Sequence, residues 1–238
     1  MRTTKMIEKA VLKAIAVLML LFVLPVKGGQ NVVGSIEKNV TNFGATKLYE
    51  ILCLQELGLI KVAFDIALKG KDELEAKGVV NNHEIITIID FSLPSYAKRL
   101  FVIDLKNNRL LLNTYVAHGR NSGEEYAKNF SNRANSFQSS LGFYVTGSTY
   151  QGKHGYSMRL NGVEKGINDE AEARGIVIHA ADYVSEQFIH QVGRLGRSQG
   201  CPAVSSQVIN LLIETIKDGS CLFIYSPSSV YLSKSNLI

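Results

Sequence analysis

From Asn82 onward the chain reads as short apolar, β-branched runs broken by polar turns. Glu84–Phe91 (EIITIIDF), Leu100–Leu105 (LFVIDL) and Leu110–Ala117 (LLLNTYVA) are the first three, and Asn107-Asn108 between the last two marks a hairpin. Gly142–Gly147, Tyr156–Leu160, Arg174–His179 and Cys221–Tyr225 read as further strands. Ser206–Lys217 is the one helix expected in this half, with Val208, Leu211, Leu212 and Thr215 along a face. Ahead of the strands, Thr46–Gly58 and Val62–Lys77 carry apolar positions at helical spacing, and each closes at glycine. Many strands with one late helix predict a mainly β (α+β) domain, a sandwich or barrel of largely antiparallel pairing. The two short leading helices are too small for a core of their own and are expected to pack against it.

The first residues follow another pattern. Arg2, Lys5, Lys9 and Lys13 precede the apolar run Ala14–Leu24, which ends at Pro25. That run is shorter than the roughly 20 residues of a spanning helix and fits a secretory signal peptide, with an uncleaved anchor as the alternative. The chain is therefore read as 1–29 signal peptide, 30–81 linker and helical extension, and 82–238 main β domain, exported to the periplasm or cell envelope. Of the net charge of +5, residues 1–29 supply most, with five basic side chains against Glu8 alone. The remainder is close to neutral, so no basic footprint for nucleic acid is expected, nor any membrane contact beyond the leader.

Export alters the reading of the three cysteines. Cys53 falls in a helical stretch and Cys221 in an apolar strand, and both read as buried thiols rather than a bonded pair. Cys201 is different. It lies in Gly196-Arg197-Ser198-Gln199-Gly200-Cys201-Pro202, where Gly200 and Pro202 set a tight turn and the polar neighbours make a poor core strand. His179 closes a strand upstream and is a candidate base for that thiol, since the thiolate is the attacking form and a free thiol is mostly protonated at neutral pH. On residue types alone, nucleophile and core thiol stand level. His154, His179 and His190 are too scattered along the chain to read as metal ligands, and no phosphate loop or zinc spacing is present.

Ile178-His179 with Ser198-Gln199-Gly200-Cys201 resembles the active-site signature of YkuD-type L,D-transpeptidases. In that family a histidine closes a strand, and a loop then leads to serine or threonine, a variable residue, glycine and the nucleophilic cysteine. The resemblance is closest to the murein L,D-transpeptidase catalytic domain family. Its recurring segments read here IIDFSLPS (Ile88–Ser95), RLFVIDL (Arg99–Leu105), VAHGRNSG (Val116–Gly123), SSLGFY (Ser139–Tyr144) and GRSQGCPAV (Gly196–Val204).

The resemblance implies a YkuD-like sandwich or barrel with Cys201 as nucleophile and His179 as base. Ser198 takes the hydroxyl position and Gly200 the glycine position. Arg197, Arg120, Gln199, Ser140 and Gly142 are the implied substrate-binding residues. The implied reaction forms a thioester between Cys201 and a peptidoglycan stem peptide, with the N–H groups of Gly200 and Cys201 holding the oxyanion. Transfer to an amine then gives a cross-link. The alternatives are hydrolysis of the same bond by an L,D-carboxypeptidase, a catalytically silent wall-binding protein, or a sortase-like acyltransferase on protein substrates. No cofactor and no metal is implied. Two departures stand out: the interval from His179 to Cys201 is longer than usual, and Pro202-Ala203 replaces the usual hydrophobic–polar pair after the cysteine, leaving Arg197 or Arg120 as substitutes for that polar side chain.

Overall fold

The computed structural model describes residues 44–238. The expected signal peptide and most of the linker lie outside the described residues. The folded unit runs from Ala45 to Ile238. It begins with a helical segment, α1, over residues 44–51, followed by turns and then α2 (Lys61–Ala76).

α1 is shorter than the helix expected over Thr46–Gly58. Cys53 adopts φ +50°, a left-handed conformation that cannot continue a helix, and Leu54 N–H returns to the Tyr49 carbonyl. Cys53 is accordingly exposed, not buried, whereas Cys221 is fully enclosed; neither is bonded to another cysteine.

The sheet comprises β1 (Asn82–Asp90), β2 (Leu100–Asp104), β3 (Arg109–Thr114), β4 (Gly142–Gly152), β5 (Gly155–Gly162), β6 (Val177–Ala180), β7 (Ala203–Val204) and β8 (Ser220–Tyr225). Its spatial order is β3-β2-β1-β8-β4-β5-β6-β7. Pairing is antiparallel except for β1 with β8 and β6 with β7. The two edges of this order meet. Past the end of β3, Ala117 N–H donates to the Ala203 carbonyl at 2.8 Å, and the Ala117 carbonyl accepts from Ala203 N–H at 3.4 Å. One residue pair further, Ser198 N–H reaches the His118 carbonyl and Arg120 N–H the Ser198 carbonyl. The sheet thus closes into a barrel through a narrow seam, which leaves little exposed edge.

Three short helices complete the unit: α3 (Glu186–Val192), α4 (Ile209–Ile216) and α5 (Ser229–Lys234). Only α4 matches an expectation. α3 occupies the long interval between His179 and Cys201; Ser185 caps it, its Oγ accepting from Phe188 N–H, and Gly193 in the left-handed region ends it. The strand expected over Tyr156–Leu160 extends to eight residues, and β4 to eleven, because Thr149, Tyr150 and Gln151 still pair across the hairpin beyond an irregularity after Thr146.

α2 lies along β1 and β8 and buries Ala63, Phe64, Ala67, Gly70, Lys71 and Leu74, a single stripe at three- and four-residue spacing. Gly70 has a packing reason. A Cβ there would fall 2.0 Å from Phe143 Cζ, so the helix seats directly on a ring that stacks at 4.2 Å on Phe223. Leu48, Tyr49, Leu54 and Leu59 share the same apolar cluster as the strands. α4 buries Ile209, Leu212, Ile213 and Ile216 beside β5, β6 and β1. No helix among the described residues is long and apolar enough to cross a membrane.

Candidate active site

His179 is placed by β6, whose inner residues Val177 and Ile178 are buried by pairing with β5 on one side while β7 takes the other. Its ring is nearly enclosed. Nδ1 lies 2.8 Å from the Ala180 carbonyl. A carbonyl only accepts, so Nδ1 carries the proton and Nε2 keeps a lone pair. Burial, with help from the charges of Lys153 and His154, pushes the imidazole below its ordinary 6.5.

Cys201 sits on the turn just before β7. Ser198 builds that turn: its Oγ accepts from Gly200 N–H at 3.0 Å and donates to the Cys201 carbonyl at 2.6 Å. Gly200 adopts φ +126° and packs so closely on the Gln138 carbonyl that a Cβ would approach to 2.9 Å. From the far side Ser139 Oγ accepts from Gly119 N–H at 3.0 Å and donates to the Gly200 carbonyl at 3.1 Å. The sulfur itself faces the Gly175 carbonyl at 3.6 Å, with Val177 N–H and its own N–H beside it. Burial raises the thiol above its ordinary 9.0, opposed by those N–H groups and by the charges of Arg174 and Lys153. The resting pair is therefore a neutral thiol and a neutral imidazole.

Both side chains line one cleft of about 520 Å³, together with Ser198, Gln199, Arg197 and Arg120. Ser140 and Gly142, expected at the substrate, lie behind the wall instead. Ser140 Oγ donates to the Ser131 carbonyl and is contacted by Arg174. Gly142, at φ +101°, leaves room for the buried carboxylate of Glu164, which accepts from Phe143 N–H at 2.6 Å. Gly200 also stays off the cleft wall, and its N–H is occupied by Ser198, so the oxyanion role expected of it is not open in this geometry. The Cys201 N–H donates to no oxygen among the described residues.

The cleft also contains residues that the sequence did not single out. Arg174 ties the 131–140 loop into one wall: its guanidinium donates to the carbonyls of Ser131 and Gln138, both at 2.6 Å, and to Ser136 Oγ. Arg197 is similarly committed, to Glu124 and to the carbonyls of Arg120 and Gly123. Arg120 is not; its guanidinium rests 4.0 Å over the Phe137 ring, and neither it nor Lys153 bonds another described residue through its side chain. Tyr183, held against Gly196 where a Cβ would come within 2.4 Å of its own, lines the cleft near Cys201. With Arg197 paired to Glu124, the remaining cations on the wall (Arg120, Lys153, Arg174) meet no lining carboxylate, which makes the cleft electropositive. No group of three or more His, Cys, Asp or Glu side chains among the described residues is arranged to hold a metal ion.

A sequence model of the L,D-transpeptidase catalytic domain (YkuD_2) matches residues 56–225, most of the chain. The chain belongs to that family. Solved structures resemble it more distantly. An L,D-transpeptidase from Mycobacterium smegmatis aligns with a TM-score of 0.37 and 12% identity, over 60% of this chain and 59% of that one. Bd1075 of Bdellovibrio bacteriovorus gives 0.38 and 17%, over 60% and 48%. The cell-shape-determining protein Pgp2 of Campylobacter jejuni, as a K307A mutant, gives 0.39 and 12%, over 67% and 54%. The chain thus spans about half to three-fifths of the length of these structures, and family membership rests on the sequence match alone. No curated protein matches by sequence.

Proposed function

We propose that this L,D-transpeptidase-family chain is an exported cysteine acyltransferase acting on peptidoglycan stem peptides. The observation that carries the reading is that a half-buried thiol and an imidazole whose Nε2 is left as the basic nitrogen line the same cleft. The electropositive cleft supports an acyl donor bearing carboxylates, as a stem peptide ending in a D-residue does.

The chemistry follows from these groups. Nε2 of His179 takes the thiol proton as the sulfur attacks the carbonyl carbon of the diamino acid at the third stem position. The Cys201 N–H, unpaired and adjacent to the sulfur, donates to the oxygen that gains charge. The C–N bond breaks, the imidazolium returns its proton to the departing amine, and a thioester remains. An acceptor amine attacks that thioester, its proton passes to His179, and the C–S bond breaks to give the cross-link. Water in place of the amine gives an L,D-carboxypeptidase.

The test is incubation of the chain from about Gln30 onward with disaccharide-tetrapeptide, products being read by mass spectrometry beside Cys201→Ala. Cross-linked dimers lacking one terminal D-residue support transfer, and free tripeptide alone supports hydrolysis. Products equal to those of the control would refute both. A carbapenem offers a strained acyl donor, and the expected outcome is a covalent adduct at Cys201 in intact-mass spectra, absent from Cys201→Ala.

A further inference from the structure

Three histidines looked unrelated along the chain, yet the sheet register brings two of them into contact. β5 and β6 pair antiparallel at Met158 with Ile178 and Arg159 with Val177. Continuing that register sets Ser157 beside His179, and Ser157 lines the cleft. Three residues before Ser157 the β4–β5 hairpin turns through Lys153-His154, pinned by the pairing of Gly152 with Gly155. β8 supports β4 only over Gly142–Val145, so the outer half of the hairpin overhangs the site as a two-stranded arm. At its tip the His154 ring stacks on His179, with centroids 4.5 Å apart and planes inclined by 28°.

We propose that His154 is a positioning residue for His179, clamping the imidazole between the Ala180 carbonyl on one side and a second ring on its face. The inference rests on His179 being the base of the reaction proposed above. One hydrogen bond at Nδ1 leaves the ring free to swing about that bond, and a stacked partner removes the swing. The clamp also has an electrostatic side, because a charge on either ring opposes a charge on the other. The same sign comes from Lys153 on the hairpin; Arg174 ahead of β6, Arg197 paired with Glu124 and Arg120 are the other cations of the cleft, and Cys201, Tyr183 and Tyr150 complete its ionisable groups. His154 therefore acts with its surroundings to keep His179 unprotonated and ready to accept the thiol proton. His190 is not part of this arrangement; it lies exposed in the last turn of α3.

Two substitutions at the exposed hairpin tip separate the stack from the charge. His154→Ala removes both and is expected to lower the acylation rate constant roughly tenfold with KM little changed, the range of a misplaced catalytic group. His154→Phe keeps the ring and is expected to retain most of the rate while the acid limb of the pH profile moves upward. The imidazole of His179 is followed in parallel by NMR in a Cys201→Ala background, without substrate, so the readout stands even if the acyl donor is misassigned. An upward shift of the His179 titration in His154→Phe, with broader ring signals in His154→Ala, supports the clamp. Unchanged His179 titration and line widths in both variants would overturn it, as would full acylation by His154→Ala.

Discussion

Ser198→Ala separates stability from chemistry in a way no other substitution on the turn does. The hydroxyl makes two bonds at once, accepting from the buried Gly200 N–H and donating to the partly buried Cys201 carbonyl. An N–H left without a partner and without water costs about 2 kcal/mol, and a carbonyl that water can partly reach about 1 kcal/mol. The loss of stability is then about 3 kcal/mol, or a fall in Tm of roughly 6–12 °C for a folded unit of this size. Cys201→Ala, by contrast, keeps both backbone groups and removes only a long S–H contact to the Gly175 carbonyl, so its Tm is expected to stay near that of the wild type. Thermal unfolding of the three proteins side by side, with iodoacetamide labelling of Cys201 where it is present, is the assay. A Ser198→Ala protein that melts with the wild type and labels at the wild-type rate would refute the claim that Ser198 builds the turn carrying Cys201.

Other outcomes follow from the same structure. Because burial holds His179 below 6.5 and raises Cys201 above 9.0, acylation should increase with pH as His179 loses its proton, with the acid limb centred below 6.5; free-enzyme alkylation should increase only on the alkaline side, and a thiolate detectable by ultraviolet absorbance at pH 6 would contradict the neutral pair. Gly70→Ala puts a methyl group into the Phe143 ring and should cost about 3 kcal/mol in urea unfolding, the upper part of the overpacking range. Arg99 is fully buried and donates to the carbonyls of Leu93 and Val116 and to His118 Nδ1, where burial and the neighbouring guanidinium hold the imidazole neutral, at about 3. Arg99→Met strands those acceptors under the 116–123 loop and should cost about 3–5 kcal/mol, with activity lost in proportion as the loop loosens.

Short apolar, β-branched runs revealed most of the barrel. β1, β2 and β8 are buried throughout or nearly so, and a buried strand must be written in apolar residues. What the pattern hid was whatever burial does not dictate. β7 is two residues long, and β4 runs on through polar positions because a hairpin arm pairs by backbone alone. The left-handed turn at Cys53 shortened a helix whose apolar spacing continues past it. In the cleft, the turn through Ser198, Gly200 and Cys201 was legible because its chemistry is local, whereas His179 lies on a strand far from it in sequence and comes to the same cleft only through the fold. Ser140 and Gly142 share a motif with the site but support it from behind, one contacting Arg174 and the other clearing space for Glu164. His154 was illegible for the opposite reason: its partnership with His179 depends on strand register, which couples positions that local spacing does not.

The seam that closes the barrel has a kinetic meaning. Its contacts, Ala117 with Ala203 and Gly119 with Ser198, join segments remote in sequence and rest on very few hydrogen bonds. Loop-closure entropy delays such contacts during folding, and their small number makes them among the first to open in the native state. Cys201 lies between the two bridged positions, Ser198 and Ala203. The turn that carries Cys201 is therefore expected to form late in folding and to open early in unfolding, so labelling of that thiol should report the integrity of the closed barrel ahead of a general loss of secondary structure.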